Sequence, residues 1–127
     1  MHHFVGKINR AMFLKISREI TTEEVIITNE RIEHSNKHQN AYDKYGCFIS
    51  NVLSDPDFIF EDIHPNTAIL IREIQVDGMN LQIVLRLHVP SDEPGYKNSV
   101  ISFWNIGQKR KDNYRKNKKI IYRRGDL

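Results

Sequence analysis

Residues 81–89 read Leu-Gln-Ile-Val-Leu-Arg-Leu-His-Val. In an extended strand, successive side chains point to opposite faces. Leu81, Ile83, Leu85, Leu87 and Val89 therefore share one face, and Gln82, Val84, Arg86 and His88 the other. The first face is aliphatic throughout, so this strand belongs in a sheet packed against a second layer. A partner strand is expected over 67–76, joined through Asp77-Gly78-Met79-Asn80, whose Asp-Gly pair favours a hairpin turn. Another strand is expected over 99–106, with Val100, Ser102, Trp104 and Ile106 on one face and Gly107 ending it.

Upstream the pattern turns helical. Val25-Ile26-Ile27 reads as a short strand, and Thr28 or Asn29 can cap the free amides of a helix that runs on to about Gln39. From the N-cap candidate Asn40, the residues Ala41, Tyr45, Phe48, Ile49, Val52 and Leu53 recur at spacings of three and four, which predicts a half-buried helix. Asp55-Pro56 stops it, because the residue before proline disfavours helical dihedrals. Phe58-Ile59-Phe60 is a short strand, residues 4–8 alternate weakly, and 11–16 fit helix or strand. The charged stretch 108–119 is expected to be helical, with Ile120-Ile121-Tyr122 a short strand or an apolar anchor. Together these give an α+β fold in a single domain over 1–127. Two N-terminal helices pack on an antiparallel sheet of about four strands, and a basic helix closes the chain.

A chain of 127 residues, 39% hydrophobic, builds one core of ordinary size. No apolar run approaches the roughly 20 residues that cross a bilayer. The first six residues lack the apolar core of a signal peptide. One cysteine, Cys47, excludes an intramolecular disulfide, and its apolar helical surroundings predict a buried thiol. The expectation is a cytoplasmic protein in a reducing compartment, with no membrane partner. Charge is uneven. Residues 109–127 carry nine Lys/Arg against two acids, a net +7, while the other 108 carry ten basic and fourteen acidic side chains, a net −4. A basic end on an acidic body fits either a solvated helix face or an anionic partner.

The chemistry starts at His34 and His38, which share a helix face at a spacing of four. Histidine is the side chain whose ordinary pKa lies nearest neutrality, so the pair is the best acid/base candidate. Arg86 carries a fork suited to a phosphate, though Glu73 on the neighbouring strand is an alternative partner. His34-x-x-x-His38 also has the two-ligand spacing of a zinc-protease helix, but Ser35 stands where that motif has its glutamate. A third ligand would have to come from His64, His88 or an unmarked acid. No metal or cofactor is therefore expected.

Several runs, in order and spacing, resemble phage-associated nuclease-like domains of the barnase–EndoU–colicin–RelE group. They are residues 25–38, residues 42–59 ending in Asp55-Pro56-Asp57-Phe58-Ile59, the loop Pro65-Asn66-Thr67, the strand Leu85-Arg86-Leu87 and the segment 96–104. The resemblance spans roughly residues 4 to 123. It implies helices packed on an antiparallel sheet, and metal-independent RNA cleavage in phage, prophage or toxin contexts. By position, His34 matches the family's helical histidine, Arg86 its strand arginine, and Asn98-Ser99 with Ser102 its late polar strand. One departure is Lys37 before His38, in a run shorter than the family's, where an arginine is often found. The resulting expectation is a small endoribonuclease with His34, His38, Arg86 and Ser102 as catalytic candidates. Asn66, Thr67, His88, Tyr96, Lys97, Asn98, Ser99 and Trp104 are candidates for substrate binding. Lys109, Arg110, Lys111 and Arg115 would tether tRNA or single-stranded RNA, and an immunity or phage protein is a further possible partner. The alternatives are a non-catalytic module that binds nucleic acid or a phage protein, and a metal-dependent hydrolase.

Overall fold

The computed structural model describes residues 1–75 and 78–127. Seven strands form one mixed sheet: β1 (His2–Lys7), β2 (Glu24–Thr28), β3 (Phe58–Glu61), β4 (Thr67–Glu73), β5 (Asn80–Arg86), β6 (Asn98–Ile106) and β7 (Ile120–Arg123). Their order across the sheet is β1-β2-β6-β5-β4-β3-β7. All pairs are antiparallel except β2–β6, which runs parallel through Val25–Asn98 and Ile26–Ser99. The helices are short: α1 (Asn29–Asn36), α2 (Ala41–Tyr45), α3 (Ile49–Ser54) and α4 (Gln108–Asn117). Two N-terminal helices on an antiparallel sheet of about four strands is therefore the wrong picture. The short strands β1, β3 and β7 join the sheet as full members, and β2 makes it mixed.

The expected helix over 40–53 is broken. Asn40 sits in the left-handed region at φ 56° and makes no side-chain cap bond, and Gly46–Phe48 form a 3₁₀ turn between α2 and α3. Residues 10–13 form another 3₁₀ turn, capped by Asn9. The start of α1 falls where the residue types place it. Thr28 Oγ1 accepts from Arg31 N at 3.2 Å, a cap worth about 1 kcal/mol. Cys47 is exposed, because the 3₁₀ turn rotates it away from the packed side. The end of the expected strand over 67–76 and the start of its turn lie outside the described residues.

The aliphatic face of β5 is fully buried at Leu81, Ile83 and Leu85. With Val25, Ile27, Phe103 and Val100 it meets Ile49, Val52 and Leu53 of α3 in the larger core. Each such side chain contributes roughly 1.5–3 kcal/mol on leaving water. A smaller core, Phe60, Ile69, Ile71 and Ile106, lies on the other sheet face with Tyr114 of α4 packed against it. Simple alternation failed at one point in β6. The register shifts between Val84 and Leu85: Val84 faces Ser102 while Leu85 faces Val100. Ile101 is the additional residue, a bulge that puts Val100 in the larger core and leaves Ser102 and Trp104 on the opposite face.

Candidate nucleic-acid interface

The second sheet face is only partly covered. α4 lies over the β3–β4 side, with Tyr114 5.8 Å from Phe60 and Arg115 5.1 Å above the Phe58 ring. Burial there raises the Tyr114 phenol above its ordinary pKa. Beyond α4 the face continues through half-buried Val84, Arg86, Trp104, Ser99, Ile26 and Thr28. On this face Trp104 is paired with Gln82, Ser102 with Val84, and Ser99 with both Arg86 and Ile26.

α1 closes this face along the edge that β6 leaves unpaired beyond its short pairing with β2, among the described residues. The Ser35 hydroxyl donates to the Phe103 carbonyl, which pins the helix to that edge. At about 100° per residue, Ile32 lies to one side of Ser35 and Arg31, His38 and His34 to the other. Ile32 accordingly packs on the larger core. The two histidines sit over Trp104, with ring centroids 5.9 Å away for His34 and 4.1 Å for His38, and are 5.7 Å from each other. Both histidines are exposed. Arg31 is half-buried on the same side, and among the described residues its guanidinium has no hydrogen-bond or ion-pair partner.

Arg86 is on the same face but not beside His34. Gln82 and Arg86 are four residues apart, about 13 Å along the strand. The Arg86 side chain also turns outward, donating to the Leu87 carbonyl and pairing with Asp92 at 2.8 Å. A pairing with Glu73 does not form: Arg86 faces Thr67 across the strands, and Glu73 meets Lys111 at 3.6 Å. The Val89 amide, together with the bond and charge of Arg86, holds the Asp92 carboxyl below the usual carboxylate range.

Several other candidates spend their polar atoms inside the protein. Asn98 is fully buried. Its Oδ1 accepts from His88 N at 2.8 Å, and its Nδ2 donates to the carbonyls of Thr22 and Glu24 at 2.8 and 3.0 Å. His88 is 7% exposed. Its Nε2 lies 2.7 Å from the Glu93 carbonyl and so donates, which leaves Nδ1 to accept from the Thr21 hydroxyl at 2.5 Å in the neutral ring. Thr67 donates to the Pro65 carbonyl, and Asn66, at φ 53°, accepts from Leu87 N through its own carbonyl. Lys111 is buried and donates to Asn80 Oδ1 at 3.1 Å. Lys109 and Arg110 remain exposed.

At the Arg86 end, Tyr96, Lys97 and Ser99 line two adjoining grooves. Lys97 Nζ donates to Glu24 Oε2 at 2.8 Å; that bond and the lysine's charge hold the Glu24 carboxyl below its ordinary pKa. Residue type alone passed over Arg31, although its spacing of three from His34 was a usable signal. It also passed over His2, Ile26 and Thr28, which only long-range strand pairing brings here.

Among the described residues, no three His, Cys, Asp or Glu side chains converge as a metal site requires, and no helix is long and apolar enough to cross a membrane. The model of a family described as phage-Barnase-EndoU-ColicinE5/D-RelE like nuclease2 matches residues 3–123. No curated protein and no solved structure matches the chain.

Proposed function

Because the chain belongs to this phage-Barnase-EndoU-ColicinE5/D-RelE like nuclease family, we propose that it is an endoribonuclease that cuts RNA without a metal ion, on the sheet face between α1 and α4. The observation that carries the reading is the meeting of His34, His38 and Trp104 on that face, with Arg31, whose guanidinium has no partner among the described residues, one helical turn away. Cleavage of this kind needs a base for the 2′-hydroxyl, an acid for the departing 5′-oxygen and a cation for the phosphate. His34 serves as one proton-transfer group and His38 as the other. Arg31 holds the phosphate; Arg86 joins it only after leaving Asp92. Ser102, between Trp104 and Ser99 on β6, offers a hydroxyl. Trp104 gives a base an aromatic surface to stack on. Exposed Lys109 and Arg110 on α4 draw the RNA backbone to the rim of the same face. The setting would be a phage, prophage or toxin system.

The test is cleavage of total tRNA and of single-stranded RNA in EDTA. Products are expected with the wild-type protein, and loss of one proton-transfer group in His34→Ala should slow their formation about 10²–10⁴-fold. Binding without products in any buffer would overturn the enzyme reading in favour of a binding module. Activity abolished by EDTA and restored by zinc would overturn metal independence.

A further inference from the structure

We propose that the groove lined by His2, Ile26, Thr28, Tyr96, Lys97 and Ser99 is a subsite for one unpaired nucleobase of the RNA. This deepens the nuclease reading and rests on it for the identity of the ligand as RNA. The groove has a volume of about 400 Å³, within the range of small-molecule sites.

Its chemistry favours a flat neutral ring over a phosphate. The lysine in its wall and the arginine of the adjoining groove are already neutralised: Lys97 by Glu24 and Arg86 by Asp92, each at 2.8 Å. A phosphate arriving there would have to displace a carboxylate. A base needs only a π-face and a few hydrogen bonds. Tyr96 is 69% exposed and so offers its ring as a stacking surface. It follows Gly95, whose φ of +86° favours glycine and turns the loop over the sheet. The floor is apolar at Ile26. Its register partner on β1, Phe4, is 58% exposed on the same face. Hydrogen-bonding capacity is present at the margins. Among the described residues, the Ser99 hydroxyl has no partner, and the Thr28 hydroxyl accepts from Arg31 N while keeping its own proton to give.

The position also fits. Thr28 caps α1, so the groove opens directly below the turn that carries Arg31 and, one turn on, His34. Ser99 and Trp104 lie on the same face of β6. A strand crossing this face would rest one base on Tyr96 and Ile26, hold a phosphate at Arg31 and reach Trp104 with a later base. Such a path demands splayed bases, so the substrate is single-stranded where it is read.

The experiment is equilibrium binding of a fluorescent 2′-O-methyl hexanucleotide, which the proposed chemistry cannot cut, to wild-type, Tyr96→Ala and Tyr96→Phe protein. Tyr96→Ala is expected to weaken binding about tenfold and Tyr96→Phe less than about twofold, as stacking requires. Replacing one nucleotide at a time by an abasic residue should find one position whose loss equals that of Tyr96→Ala and is not additive with it. A duplex of the same sequence should bind without sensitivity to Tyr96. Wild-type affinity in Tyr96→Ala, or additive losses at every abasic position, overturns the subsite while leaving cleavage intact. Tyr96-dependent binding by a protein that never cleaves would support the subsite and overturn the nuclease reading alone.

Discussion

Asn98 offers the sharpest test of how this face is built. The buried amide ties β6 to two other segments: the loop after β5 through His88 N, and the start of β2 through the carbonyls of Thr22 and Glu24. It also stands at the parallel β2–β6 register, opposite Val25. Asn98→Ala removes three hydrogen bonds, each worth about 0.5–1.5 kcal/mol net, and strands their partners in a buried place. The expected loss is about 3 kcal/mol. With a urea slope of about 2 kcal/mol per molar, the unfolding midpoint should fall by about 1.5 M. Ser102→Ala, whose hydroxyl has no hydrogen-bond partner among the described residues, should stay within about 0.5 kcal/mol of wild type. Urea unfolding followed by circular dichroism reads both. A midpoint for Asn98→Ala within about 0.3 M of wild type would refute the clamp, and a loss of RNA affinity without loss of stability would return Asn98 to substrate binding.

Other consequences follow from the same contacts. Arg31→Ala should weaken oligonucleotide binding in direct titrations without lowering the melting temperature, since its guanidinium holds nothing inside the protein among the described residues; a fall in stability with unchanged binding would count against it. The Lys109→Ala/Arg110→Ala pair should reduce the slope of log affinity against log salt by about 1.4 if both contact a single strand, and an unchanged slope would remove α4 from the interface. Lys111→Ala should instead cost stability, about 2 kcal/mol in urea titrations, because its buried ammonium bonds Asn80 and meets Glu73. The Asp92 carboxyl has a folded-state pKa below its unfolded one, so its bonds stabilise the protein at neutral pH and that contribution drains away as pH falls through the folded pKa. Asp92→Asn should therefore be less stable than wild type at pH 7, with the gap narrowing in acid; a gap constant with pH would refute the linkage.

The sequence made the central strand plain because burial on one face leaves a period of two that nothing else in the chain imitates. Leu81, Ile83 and Leu85 sit where that period puts them. The cap at Thr28 was also readable, being local chemistry between residues three apart. What failed depended on distant partners. The place of β1 and β7 at the two sheet edges and the parallel register of β2 on β6 are set by contacts across the whole chain, and short strands carry too few residues to announce them. The Ile101 bulge inverts the parity of β6, so Val100 was wrongly grouped with Ser102 and Trp104. Asn98 and His88 looked like free polar groups because their residue types suit substrate contact. Only the folded backbone shows that their donors and acceptors are already occupied. Arg86 likewise reads as a phosphate fork until Asp92, six residues on, folds back to meet it.

The most direct measurement is the end-group chemistry of the RNA fragments made in EDTA. Attack by the 2′-hydroxyl under His34 and His38 predicts 2′,3′-cyclic phosphate and 5′-hydroxyl ends, formed about 10²–10⁴-fold more slowly by His34→Ala. Fragments carrying 5′-phosphates, or cyclic ends formed equally fast by His34→Ala, would contradict the account.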